Sequence, residues 1–249
     1  MGTQYTGHQP LTDVIGQAMA ADISTANRVS DLLRRSIPWQ FPARLFTTAV
    51  SHSTVSVNKA RVTNAIIAVE YGCLHQYLHA VPPAETELVQ PATESRYEDD
   101  SVAAILDGDL LQSCALSRLT EATDDPETVE RFFQSLSEAS VTCYEEGIGA
   151  GQQSASMQVA PLAGFAARMA ALVADIDTPD VDAIEQAGTT LGKAVPVHTP
   201  SGWTYGASEN LHAAKRRIGE LFDRSGRIEQ KLAGIIREER ELAESHEQE

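Results

Sequence analysis

The stretch NKARVTNAIIAVEYGCLHQYLH, residues 58–79, decides the fold. Ile66, Val69, Tyr71, Cys73, Leu74, Tyr77 and Leu78 leave few polar gaps along it. This predicts a helix buried on most sides, placed centrally in its domain, rather than one with a broad solvated face. Pro82-Pro83 stops it, because proline lacks the N–H that a continuing helix needs.

Outward from this segment the chain reads as further helices punctuated by proline and glycine. On the N-terminal side, Pro10-Leu11 opens a helix through Val14, Ile15, Met19, Ile23 and the Val29/Leu32/Leu33 face, closed by Ile37-Pro38; another spans about 40–52. Residues 84–97 are polar and read as a loop. The next helix covers 95–120, with Glu98-Asp99-Asp100 in its first turn, where the helix dipole favours acids. Thr123-Asp124-Asp125-Pro126 is a turn that delivers proline to the first helical position, and the helix it opens runs to about Gly147. Residues 147–156 read as a break, helices follow at about 160–175 and 180–195, and 196–207 reads as an irregular loop. Residues 208–246 form one or two helices, with Ile228, Leu232, Ile235 and Leu242 at helical spacing; packing within the domain accounts for that stripe more simply than a partner helix. The expectation is a single all-α domain over 1–249 of about nine or ten helices.

Composition narrows the function classes. The formal net charge is −16, and the basic residues are 15 Arg and only 4 Lys. Such a surface disfavours nucleic-acid binding, which needs clustered cations, and fits a salt-rich cytoplasm of the halophilic kind. No apolar run reaches membrane-spanning length, and the N-terminus lacks the layout of a secretory signal. Gly2 and Thr6 stand at myristoylation spacing, a short and unspecific pattern. Cys73, Cys114 and Cys143 are odd in number and far apart, which suits buried thiols in a reducing compartment.

Several residues, in order, carry a family resemblance: Ala68-Val69-Glu70 with His79 nine residues on, AAILDGDLL at 103–111 with Gly108-Asp109, Gly151-Gln152, and Gly188-Thr-Thr-Leu191-Gly192-Lys-Ala194-Val195. This arrangement resembles the trans-isoprenyl diphosphate synthase (polyprenyl synthetase) family, in a degenerate, haloarchaeal-type form, across about residues 40–198. The resemblance implies an isoprenoid-synthase helical bundle. In that family two aspartate-rich motifs hold about three Mg²⁺ ions, which bind and activate an allylic diphosphate. Here the positions that follow His79 are Ala80-Val81-Pro82-Pro83-Ala84, and those spaced from Gly188 and Gly192 are His198-Thr199-Pro200-Ser201-Gly202. Neither stretch holds an acid. The family's RRG has no counterpart in 85–96, the Lys-Thr after its Gly-Gln is missing, and its basic N-terminal motif survives at best as Arg44. No catalytic residue, metal ligand or cofactor is therefore expected, although Mg²⁺ belongs to the family.

The remaining candidates surround the residual cavity that the resemblance implies: Glu70, His75, His79, Asp109, Gln152, His198 and Trp203. His75 and His79 stand at i, i+4 on one helix face, which is two-ligand spacing for a transition metal and equally the spacing of two hydrogen-bonded core histidines. Asp100 and Asp107 share a face, either as a relocated metal site or as surface acids. Asp109 is expected to face the cavity and bond a neighbouring helix. The stretch 198–206, HTPSGWTYG, would line a new pocket, make a protein contact, or form a tight loop anchored by Trp203. Gly147, Gly149 and Gly151 have no strand before them and form no dinucleotide fingerprint.

Three functions are consistent with this reading. The first is a non-catalytic partner or regulatory subunit of a prenyl synthase, with residues 100–120 and 126–146 as the candidate contact, or the same face used in a homodimer. The second is a binder of an isoprenoid or other apolar ligand. The third is an enzyme with altered, metal-independent chemistry.

Overall fold

The computed structural model describes residues 17–18, 21–22, 41–52, 58–80, 97–149, 155–176, 178–195, 197–199, 202–204, 210–222 and 227–246. Among them run α1 (Phe41–Ser51), α2 (Lys59–Ala80), α3 (Tyr97–Ala122), α4 (Pro126–Gly149), α5 (Ala155–Val173) and α6 (Thr178–Lys193), then strands β1 (Val197–Thr199) and β2 (Gly202–Thr204), then α7 (Leu211–Phe222) and α8 (Arg227–His246). The architecture is all-α, with eight bounded helices among the described residues against the nine or ten expected. The helix expected from Pro10 to Ile37 lies mostly outside those residues, with 17–18 and 21–22 helical.

The helix starts follow local chemistry. Asn58 caps α2, its side-chain oxygen accepting from Ala60 N–H at 2.8 Å. Asp125 caps α4, accepting from the Thr128 hydroxyl at 2.6 Å and from the Thr128 and Glu127 N–H groups at 3.1 and 3.3 Å. Pro126 takes the first helical position, where a missing N–H costs nothing. The turn that ends α5 carries Asp175 at φ 53°, with Ile176 N–H reaching Ala171 O at 3.0 Å and Asp175 N–H reaching Leu172 O at 3.2 Å. These bonds satisfy carbonyls that the helix end leaves open.

Two expectations are corrected. The helix expected from about residue 160 begins at Ala155, so Pro161 stands inside it. Proline suited the start of a helix on local grounds, but Val159, Ala160, Leu162 and Ala163 are all buried in the core, and packing holds the extra turn despite the lost hydrogen bond. The expected irregular loop at 196–207 contains a small antiparallel hairpin instead, pairing Val197 with Thr204, His198 with Trp203 and Thr199 with Gly202. Three-residue strands are too short to show a period in sequence.

Helices α2 and α5 form the centre. Residues 65–76 of α2 are all buried, as its apolar pattern requires. Helix α5 packs on α1, α2, α4, α6 and β1. Phe132 of α4 meets Phe165 of α5 edge-on, with ring centroids 5.3 Å apart. Such a pair contributes about 1 kcal/mol beyond its buried area. Ile228, Leu232 and Ile235 of α8 join the same core, so the C-terminal stripe serves internal packing.

The tightest joint is between α5 and α6. A β-carbon at Gly188 would lie 2.5 Å from Ala163 O and 2.6 Å from Ala167 Cβ. One at Gly192 would lie 2.7 Å from Ala160 Cα. The two glycines, one turn apart, let the backbones touch. Arg168 fastens this joint from the side, bonding Glu185 at 2.7 Å.

The packing sets the sign of a glycine replacement. Alanine is favoured over glycine inside a helix by about 1 kcal/mol. At Gly188 the collision is with backbone, so Gly188→Ala is expected to destabilise the fold by about 1–3 kcal/mol in urea unfolding. At Gly234 of α8 nothing lies within 4 Å of the added carbon. Gly234→Ala is expected to gain up to about 1 kcal/mol in the same measurement.

Candidate functional site

Helix α3 lies along α2, and the seam between them brings together three of the predicted residues, His75, His79 and Asp109. Gly108 sits on α3 where the His75 and His79 rings of α2 arrive. A β-carbon there would come within 2.5 Å of His79 Cδ2 and 3.6 Å of His75 Nδ1. The glycine thus provides a flat floor of helix backbone for two imidazoles. Their ring centroids are 4.4 Å apart, as i, i+4 spacing dictates.

His75 is buried, with 8% exposure. Its Nδ1 lies 3.0 Å from Gly108 O. A carbonyl only accepts, so Nδ1 carries the proton and donates, which leaves the lone pair of the neutral ring on Nε2. Burial, followed by the neighbouring His79, holds the His75 imidazolium below its ordinary pKa and favours this neutral form. His79 Nε2 lies 3.2 Å from Asp109 Oδ1 at the exposed edge of the seam. Asp109 thus lies within ion-pair distance of the neighbouring helix at His79.

Glu70 occupies a different environment on α2, five residues before His75 and nine before His79. It is fully buried, and among the described residues neither carboxyl oxygen has a hydrogen-bond partner. Burial pushes its carboxyl up to about 8 and, with the Glu70 charge, pushes the nearby Cys73 thiol upward as well. Glu70 is therefore a neutral acid in the core at neutral pH. Cys73 and Cys143 are buried thiols, as expected, whereas Cys114 is half-buried.

Two polar links that the sequence did not reveal tie α2 to its neighbours. Gln76 donates to the Ser140 hydroxyl of α4. Asp22 accepts from Tyr71 OH at 3.0 Å and from Arg118 Nε at 2.8 Å, and its second oxygen takes the other tine of the guanidinium fork. Neither partner set stands at a helical spacing that would signal it. Of the remaining candidates, Gln152 lies outside the described residues, as do the side chains of Asp100, His198 and Trp203, although the latter two are register partners in the hairpin.

The Glu70 carboxyl yields a pH-dependent stability with a definite sign. In the unfolded chain it ionises near 4.5, in the fold near 8. The native state therefore holds a proton that the unfolded state has released, and stability falls as pH rises from the first value through the second. The full span corresponds to up to about 5 kcal/mol. Glu70→Gln cannot ionise, so it is expected to match the parent within about 1 kcal/mol near pH 5 and to exceed it by about 2–5 kcal/mol near pH 9. Urea unfolding followed by circular dichroism at the two pH values checks this.

No family model matches the chain, and no curated protein matches it. Solved structures do. An FPP/GFPP synthase from Zymomonas mobilis aligns over 92% of this chain and 97% of its own, at TM-score 0.57 and 15% identity. A putative farnesyl-diphosphate synthase from Marinomonas sp. aligns over 91% and 95%, at TM-score 0.57 and 20% identity. The geranyl diphosphate synthase small subunit from Antirrhinum majus aligns over 92% and 100%, at TM-score 0.51 and 13% identity. No helix among the described residues is long and apolar enough to cross a membrane. With both chains covered almost end to end, this chain has the helical-bundle fold of the trans-isoprenyl diphosphate synthases.

Proposed function

We propose that this chain is a non-catalytic, polyprenyl-synthase-like protein that works as a partner subunit of a prenyl synthase, docking through the outer faces of α3 and α4. The observation that carries the reading is where apolar surface is left bare. Among the described residues the exposed large hydrophobics are Ile105, Leu106, Leu110, Phe133 and Val141, all on these two helices. The three on α3 fall within an arc of about 140°. Surfaces of a monomer rarely spend large apolar side chains in this way, whereas a protein interface does. These are the helices that the family resemblance marked as the contact between subunits.

The second support is chemical. The stretches 80–84 and 198–202, where the family would place its metal-holding aspartates, contain no carboxylate. The alanine, valine and proline side chains of 80–84 cannot ligate Mg²⁺ and 198–202 offers no carboxylate, so a diphosphate leaving group would lack the carboxylate-held cations of the family there. The resemblance to a fold that includes a small subunit by description is in keeping with a binding role.

Affinity capture of the tagged chain from its source cells, followed by mass spectrometry, is expected to recover a prenyl synthase in stoichiometric amount. The double replacement Leu106→Glu, Phe133→Glu should abolish recovery while leaving the helical circular dichroism unchanged. Recovery of the chain with itself alone would replace the reading with a homodimer. A co-purifying isoprenoid in native mass spectrometry would favour a ligand-binding role. Consumption of an allylic diphosphate by the isolated chain would show it to be an enzyme.

A further inference from the structure

We propose that His75, His79 and Asp109 form a divalent transition-metal site, of the kind that takes Zn²⁺, which clips the C-terminal end of α2 to the middle of α3. Among the described residues this is the one set of three potential ligands that converges: one donor atom from each lies within 4.8 Å of the others. The donor set, two imidazoles and one carboxylate, differs from the aspartate-rich Mg²⁺ motifs that the family resemblance describes. It does not depend on the partner-subunit reading.

The geometry goes beyond proximity. A tetrahedral Zn²⁺ with bonds of about 2.0–2.1 Å needs its donors about 3.4 Å apart. His79 Nε2 and Asp109 Oδ1 are already 3.2 Å apart. His75 brings the third donor. Its Nδ1–H bonds Gly108 O, which puts the lone pair of the neutral ring on Nε2, the nitrogen that the proposed site would use. A ligating histidine characteristically donates its other N–H to a carbonyl or carboxylate in this manner. Gly108 then has two roles, supplying that carbonyl and leaving room for the His79 ring, since a β-carbon would sit 2.6 Å from His79 Nε2.

The burial gradient also fits. His75 is buried and fixed, whereas His79 and Asp109 lie at the exposed edge, where a cation can enter and the Asp109 carboxylate can swing to close the remaining distance. Imidazole nitrogen with one carboxylate oxygen selects a borderline cation such as Zn²⁺ over Mg²⁺, which prefers oxygen alone. The three protein ligands leave a fourth position for water. Two of the ligands come from α2 and one from α3, so binding cross-links two helices joined by residues 81–96 and stabilises the folded state by mass action.

The test is titration of the metal-stripped full chain with Zn²⁺ by calorimetry, and with Co²⁺ followed by its visible ligand-field bands. One ion per chain is expected, with Co²⁺ bands of a low-symmetry site containing nitrogen and oxygen, and a melting temperature that rises with Zn²⁺ concentration. Asp109→Asn and His79→Gln, both at the exposed edge, should keep the helical circular dichroism and weaken Zn²⁺ binding by about a hundredfold or more. Gly108→Ala should weaken it by about tenfold or more by displacing the His79 ring. Absence of Zn²⁺ binding by the parent chain overturns the proposal. So does binding that Asp109→Asn and His79→Gln leave unchanged, because the metal would then sit elsewhere.

Discussion

The close approach of α5 and α6 sets the dimensions of the molecule. With Gly188 and Gly192 against Ala160, Ala163 and Ala167, the two helices meet at backbone distance. Helix α5 then presents its remaining faces to α1, α2 and α4, and α6 carries α7. Because the joint is built of glycine and alanine, it contributes little apolar area of its own. Its value is positional, and the burial comes from large side chains of the same core such as Phe132, Phe165, Leu45 and Tyr71.

A second consequence concerns the seam between α2 and α3. Here too a glycine, Gly108, replaces side chain with backbone surface, but the space is taken by imidazole rings instead of a second helix. The same device yields an apolar joint in one place and a polar pocket in the other. Glu70, on the buried side of α2, shows what happens without a partner: the carboxyl stays neutral because the core offers neither cation nor donor among the described residues. His75, only five residues on, is rescued by one carbonyl.

Much of the fold was legible because burial leaves a period in the sequence. The central position of α2 followed from its almost unbroken apolar pattern, and the start of α4 from Asp125-Pro126. The α5 start was missed, since the Gly-rich stretch 147–156 read as a break, and the buried packing that carries the helix through Pro161 is a tertiary effect. The hairpin at 197–204 was illegible because strands of three residues carry no period. In the site, sequence spacing placed His75 with His79, but only packing could bring Asp109 from another helix. Bare and buried leucines look alike in sequence, so Leu106 and Leu111, five residues apart on α3, became distinguishable only once the fold buried the second and not the first.

The fork between Asp22 and Arg118 has a further implication. Tyr71 and Arg118 both point their polar atoms at one carboxylate that arrives from far upstream. Were that carboxylate withdrawn, Tyr71 would lose its acceptor and Arg118 would keep only Asn64 and Glu121, at a cost of about 1–3 kcal/mol. Asp22 thus acts as a brace: the two helices that hold the histidines and Asp109 are tied by a residue that neither of them contains.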